Sequence, residues 1–289
     1  MSNSVSTSVS NSVSGSYGAT LVASDLDRTL IYSAAALQLP MPDAEAPRLL
    51  CVELYEGKPL SYVTEDAAEL LAELSRRTVF VPTTTRTREQ YARIHLPGRT
   101  PRFAICANGG HLLVDGVSDQ DWQRQVAARL AEECASLDEV RAHLVRSASE
   151  SWLLKERVAE DLFAYLVVER ALLPEGWVKE LSAWAEERGW TVSLQGRKIY
   201  AVPKPLTKSA AMREVARRTG ADLTLAAGDS LLDADLLLAA DRSWRPGHGE
   251  LADTGLSAPH LTVLAQCGVG AGERILREFL YASGPGRAA

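Results

Sequence analysis

Two short acidic signatures carry most of the chemistry this sequence offers. Asp25-Leu26-Asp27-Arg28-Thr29-Leu30 follows directly on the apolar run Ala19–Ser24. In extended backbone, residues i and i+2 point to the same side, so Asp25 and Asp27 face one small site. They repel each other there unless a cation or a shared proton intervenes. The plainer reading of a bare Asp-x-Asp is a loop Asp and a helix N-cap Asp. The second signature, Gly228-Asp229-Ser230-Leu231-Leu232-Asp233, closes the uninterrupted apolar run 223–227. An ordinary turn with Asp233 capping the next helix accounts for only one of its two carboxylates. Between the two signatures, Val79–Pro82 ends in Thr83-Thr84-Thr85-Arg86, hydroxyls and backbone N–H groups at a helix start, where anions are bound. Lys208 opens a predicted helix, a position where a cation opposes the macrodipole, which points to an anion nearby.

Those groups need elements to hold them. Short apolar runs alternate with helical stretches along much of the chain, the pattern of parallel strands joined by helical crossovers. Ala19–Ser24, Val79–Pro82 and 103–107 read as strands and 66–76 as an amphipathic helix. Asn108-Gly109-Gly110 turns the chain into His111–Val114, as a hairpin does. From about 119 the character changes. Segments 121–135 and 175–188 read as helices, 141–147, 152–157 and 163–169 as strands, and Trp190–Gln195 with 198–202 as a hairpin around Gly196-Arg197. The crossover rhythm resumes with helices at Lys208–Thr219, 233–240 and 271–280 and strands at 223–227 and 261–264. The expected organisation is therefore an α/β Rossmann-like core, 19–112 and 202–289, interrupted by an inserted α+β block, 113–201. Ser stands at every even position from 2 to 16, so residues 1–18 are expected to form a flexible tail. Gly268-x-Gly270-x-Gly272 has the wrong spacing for a dinucleotide fingerprint and reads as a strand-to-helix turn.

Composition narrows the partners. The chain has 289 residues, with 31 Lys and Arg against 37 Asp and Glu, a net charge of −6. No global basic field draws it to nucleic acid or an anionic membrane, so an anionic ligand must be held by a local site. Cys51, Cys106, Cys134 and Cys267 lie far apart without metal-ligand spacing, which suggests a reducing, cytoplasmic setting. No apolar run reaches the roughly 18–20 residues of a membrane span. Oligomeric state is not legible.

Taken in order, Asp-x-Asp-x-Thr, Thr, Lys and Gly-Asp-Ser-x-x-Asp resemble the motifs of the haloacid dehalogenase-like (HAD) hydrolase superfamily, most of whose members are phosphatases. The inserted block resembles the type 2 cap of its sugar-phosphatase branch, as do Asn108-Gly109-Gly110 and Gly268-Val269. The resemblance implies Asp25 as nucleophile, Asp27 as general acid and base, and Thr84 and Lys208 as phosphoryl ligands. Asp229, with Asp25 and the Asp27 carbonyl, is then expected to hold Mg²⁺, supported by Thr29, Ser230 and Asp233. Arg28, Arg86, Asn108, Arg197 and Lys198 are candidate substrate contacts. Three positions depart from the branch pattern: Thr85 and Ser209 replace Gly, and Leu232 replaces an Asn, removing a polar group beside the metal. By charge, Asp25 is expected to ionise near the ordinary value of about 3.9, while Asp27, crowded by Asp25, holds a proton for the leaving group. The implied activity is Mg²⁺-dependent hydrolysis of a small phosphomonoester, a sugar phosphate or similar metabolite. A phosphomutase and a catalytically idle interaction module are the competing readings.

Overall fold

The computed structural model describes residues 19–284; the expected tail, 1–18, lies outside the described residues. The elements follow in the order β1 (Ala19–Ser24), β2 (Leu49–Tyr55), β3 (Lys58–Thr64), α1 (Glu65–Arg77), β4 (Val79–Pro82), α2 (Arg88–Tyr91), β5 (Phe103–Cys106), β6 (His111–Val114) and β7 (Val117–Ser118). Next come α3 (Gln120–Glu133), α4 (Leu137–Ser147), β8 (Leu153–Ala159), β9 (Phe163–Val168), α5 (Trp177–Glu186), β10 (Trp190–Gln195) and β11 (Lys198–Pro203). The chain then forms α6 (Lys208–Thr219), β12 (Ala221–Ala227), α7 (Ala234–Ala239), β13 (Arg242–Arg245), α8 (Glu250–Asp253), β14 (Leu261–Val263) and α9 (Val269–Ala282).

A five-stranded, all-parallel sheet has the order β14-β13-β12-β1-β4. Alternation along β1 explains why the sheet is buried on both faces. Leu21 and Ala23 join Val81, Ala226 and the α6 residues Ala211, Met212 and Val215. Val22 points the other way, into Phe80, Leu225, Leu71 and Leu74 of α1, and Ile275, Leu276 and Phe279 of α9. Helix α1 forms because Thr64 caps it, accepting from the Ala67 N–H. Glu65 and Asp66 lie in its first turn and Arg76 and Arg77 in its last, both favourable to the macrodipole. A parallel bridge from Thr83 to Ile105 carries β5 alongside the extension of β4. From β5 the antiparallel β5-β6-β7 meander begins.

Beyond the meander, a separate antiparallel sheet has the order β10-β11-β9-β8. This is the Rossmann-like core with an inserted cap that the sequence predicts. Three details differ. Segment 141–147, expected as a strand, belongs to helix α4. Ser136 caps that helix by accepting from the Glu139 N–H, Asp138 and Glu139 fill its first turn, and buried Val140 and Leu144 stack one turn apart. The hairpin β2-β3, not anticipated, turns at Glu56-Gly57, both with positive φ (50° and 73°). The expected boundaries at 112/113 and 201/202 fall inside β6 and β11. Gly268, at φ 59°, begins α9 after β14, the turn expected there. Among the described residues, no helix is long and apolar enough to cross a membrane.

Candidate active site

The parallel sheet places three loops at one edge. Asp25 follows β1, Thr84 follows β4 and Asp229 follows β12, so all three stand at carboxyl ends of adjacent parallel strands, where open α/β sheets bind ligands. Lys208 reaches the same point from the first turn of α6, whose N-cap Thr207 accepts from the Ala210 N–H. The loop before α6 is held by Asn108, whose Nδ2 donates to the Leu206 carbonyl at 2.8 Å. At Gly109 (φ 97°) a Cβ would lie 2.2 Å from the Thr207 carbonyl oxygen, so only glycine permits that approach.

Lys208 is fully buried, and its Nζ donates to Asp25 Oδ1 (2.7 Å) and Asp233 Oδ1 (2.5 Å). Burial works against its charge, but Asp233 and Asp25 hold it protonated, above its ordinary range. The other oxygen of Asp25 accepts from the Thr29 hydroxyl at 3.1 Å. The other oxygen of Asp233 accepts from the Asp229 and Ser230 N–H groups and the Ser230 hydroxyl. Asp25 and Asp233 are thus well provided with donors. Asp229 is not: among the described residues its buried carboxylate accepts no hydrogen bond and meets only the Arg28 guanidinium, at 3.6 Å.

That imbalance suits a cation. Carboxylate oxygens of Asp25, Asp229 and Asp233 lie within 4.8 Å of one another. An all-oxygen set of this kind fits a hard ion such as Mg²⁺. Burial and the neighbouring Asp25 and Asp233 charges drive the Asp229 carboxyl well above the carboxylate range. Burial and the Asp233 charge, against the pull of Lys208, raise Asp25 to about 7. A bound cation relieves both strains. Asp233, expected only as a supporting group, sits inside the cluster, whereas the Asp27 carboxylate is turned away from it. Leu232 is buried beside it, so no polar side chain stands where the family pattern has Asn.

Asp27 faces Arg86 instead. The guanidinium donates from Nε and Nη2 to the two carboxylate oxygens at 2.6 and 2.7 Å, and from Nη1 to Glu53 Oε1 at 2.7 Å. Glu53 is buried on β2 and also accepts from the Ser61 hydroxyl of β3 (2.6 Å). The Asp27 side chain keeps 46% of its surface open, toward the cavity it shares with the hairpin β10-β11. Desolvation there would raise its pKa, but the charge and hydrogen bonds of Arg86 override it and hold Asp27 below the usual carboxylate range. The expected protonation pattern is therefore reversed: Asp25 is the raised carboxyl and Asp27 the ionised one.

The remaining candidates divide. Thr84 is buried, its hydroxyl accepting from the Arg86 N–H, so it positions the loop that carries Arg86. Arg28, Arg197 and Lys198 line a cavity of about 250 Å³ with Asp27, Asp229, Ser33, Gln195 and Tyr200. Asn108 and Arg86 do not line it. A larger cavity, about 660 Å³, opens between residues 38–41 and the start of α9 and holds none of the acidic cluster. Glu53 and Ser61 were missed in the sequence because the β2-β3 pairing was missed. A buried-looking Glu three residues before the Glu56-Gly57 turn was the available signal.

No family model matches the chain and no curated protein does. Solved structures do. The chain is similar to the sucrose-phosphatase of Synechocystis, with TM-score 0.60, 14% identity and coverage of 91% of this chain and 98% of that one. It is also similar to the C-terminal domain of C. albicans trehalose-6-phosphate phosphatase, with TM-score 0.53, 14% identity and coverage of 93% and 94%. A third match is a HAD subclass IIB sugar phosphatase, with TM-score 0.53, 12% identity and coverage of 91% and 99%. The chain has the HAD fold with an inserted cap. Residues of the cap hairpin β10-β11 line one cavity with Asp27 and Asp229.

Proposed function

We propose that the protein is a Mg²⁺-dependent phosphomonoester hydrolase acting on a small phosphorylated metabolite, a sugar phosphate or a compound of similar size. The observation that carries this reading is the fully buried Lys208 ammonium shared between Asp25 and Asp233, beside the donor-poor Asp229, which lines a cavity together with the cap hairpin. A buried cluster with three carboxylates and one ammonium is costly unless it binds something. Likeness in fold to a sucrose-phosphatase and a trehalose-6-phosphate phosphatase domain supports the choice of phosphorylated substrate.

In this reading an Asp25 oxygen attacks phosphorus, the ester P–O bond breaks, and the departing oxygen takes a proton from Asp27. Asp27 then removes a proton from water, whose oxygen attacks the aspartyl-phosphate, releasing inorganic phosphate and restoring Asp25. Lys208 and the loop at Thr84 hold the phosphoryl oxygens. Mg²⁺, when bound by Asp25, Asp229 and the Asp27 carbonyl, supplies positive charge that offsets repulsion between Asp25 and the phosphate dianion. Because Arg86 keeps Asp27 ionised at rest, Asp27 acquires its proton only as that pairing loosens around the substrate. The inserted segment, about 113–201, selects the substrate and excludes water. The setting is cytoplasmic, and nucleic acid and membrane are not partners.

Phosphate release from a panel of phosphomonoesters tests the reading. Turnover with Mg²⁺ is expected to vanish with a chelator. It should fall by several orders of magnitude in Asp25→Asn, whose amide is not a competent nucleophile. Retention of more than about a tenth of the wild-type rate sinks the assignment of Asp25. An isomeric phosphate ester in place of inorganic phosphate points to a mutase.

A further inference from the structure

The cavity above Asp27 and Asp229 is one-sided in its hydrogen-bonding character. Its cap wall is built by the β10-β11 hairpin, which contributes Gln195, Arg197, Lys198 and Tyr200. No carboxylate stands on that wall. Among the described residues, neither Arg197 nor Lys198 is in an ion pair within 4 Å; the Lys198 ammonium stands over the rings of Tyr165 and Tyr200, at 5.6 and 6.0 Å, and its charge reaches Asp27 across the cavity. Arg and Lys are donor-only groups. A neutral sugar presents hydroxyls that donate as well as accept, and this wall offers it little more than the Gln195 amide oxygen and the Tyr200 hydroxyl as acceptors.

A third cation approaches from the core under backbone strain. Arg28 has φ 63°, the left-handed region that a residue with a Cβ avoids. Its N–H donates to the Ile31 carbonyl, and its carbonyl oxygen meets His248 Nε2 at 2.8 Å, so the surroundings hold it in place. Glycine would relieve the strain at this turn; the arginine there places a guanidinium in the cavity, 3.6 Å from Asp229.

On the phosphatase reading above, we propose that the substrate carries a second anionic group, a carboxylate or a second phosphoryl, bound by Arg197 and Lys198 with Arg28. The substrate class is then a small phosphorylated acid or a bisphosphate rather than a neutral sugar phosphate.

The test compares 3-phosphoglycerate, glycerol 3-phosphate and propane-1,3-diol bisphosphate, which share a short chain and differ at the far end. Binding to Asp25→Asn by titration calorimetry and kcat/KM of the wild type are both measured. The expected result is a preference of about tenfold or more for an acid or bisphosphate over glycerol 3-phosphate, the scale of one charge-assisted contact. Whether the acid or the bisphosphate leads identifies the second anion. Lys198→Gln and Arg197→Gln should each collapse that preference. Equal affinity for the three compounds, or variants that weaken all three alike, overturns the inference. Hydrolysis of p-nitrophenyl phosphate separates the two readings. If it proceeds without any preference among the three probes, the phosphatase stands and the second-anion site falls. If no ester is hydrolysed but the binding preference persists and disappears in Lys198→Gln, the site stands and the hydrolase falls.

Discussion

Asp25 and Asp27 are two residues apart and live in opposite electrostatic surroundings. Burial and Asp233 push Asp25 up to about 7, while Arg86 holds Asp27 down. The sequence-based expectation assigned the proton to Asp27 because it counted only the nearest like charge. Arg86 comes from a loop 59 residues away, and the partner that orients it, Glu53, from a hairpin 33 residues before it. We predict that Arg86→Met, made together with Glu53→Gln so that no buried carboxylate is left unpaired, raises the pKa of Asp27. The sign follows from the pairing: Arg86 favours the ionised form, so its removal favours the protonated one. The limb of the kcat/KM pH profile that reports Asp27 should therefore move to higher pH, most clearly with alkyl phosphates, whose leaving oxygen needs the proton. A profile that stays in place shows that Arg86 does not tune this acid.

At the scale of elements, legibility followed the range of the forces involved. Strands β1 and β4 and helix α6 were readable to the residue because each is an apolar run or amphipathic stretch bounded by a chemically marked position: Asp25 after β1, Thr83 after β4 and Lys208 at the start of α6. The three motif-bearing loops after β1, β4 and β12 could be placed together because parallel strands must present their carboxyl ends on one side. The hairpin β2-β3 was not readable. Its burial does not alternate cleanly, and its register shifts twice between Cys51 and Leu54. With it went Glu53 and Ser61. Helix α4, expected as a strand over 141–147, turned on a local signal instead: the Ser136 cap with acidic residues in the first turn. If that cap is what starts the helix, Ser136→Ala should lower stability by about 1 kcal/mol, with an extreme range of roughly 0.5–2. Thermal unfolding should report this as a fall of a few degrees, and an unchanged midpoint would show that packing of Val140 and Leu144 alone sets the start of α4.

Across the whole molecule, the cap is fastened to the core by carboxylates, Glu250 and Glu160 among them. Glu250, at the start of α8 in the core, accepts from the Ser193 hydroxyl (2.5 Å) and the Leu194 N–H (2.6 Å) of cap strand β10, and from the Leu231 N–H (3.1 Å) beside the acidic cluster. Glu160, in the turn between β8 and β9, accepts from the Arg88 N–H at 2.8 Å and from its guanidinium, with His111 Nε2 3.7 Å away. Both fastenings are polar and lie beside apolar contacts between cap and core. We predict that Glu250→Gln combined with Arg88→Ala raises the open population. Amide exchange at Leu194 and Leu231, whose N–H groups lose their carboxylate acceptor, should quicken by roughly tenfold, the worth of one hydrogen bond to a charged group. Amides in α1, packed against α9 on the far face of the sheet, should keep their protection. Acceleration in α1 as large as at Leu194 would mean global destabilisation rather than cap release, and no acceleration at either strand would mean that these carboxylates do not hold the cap closed.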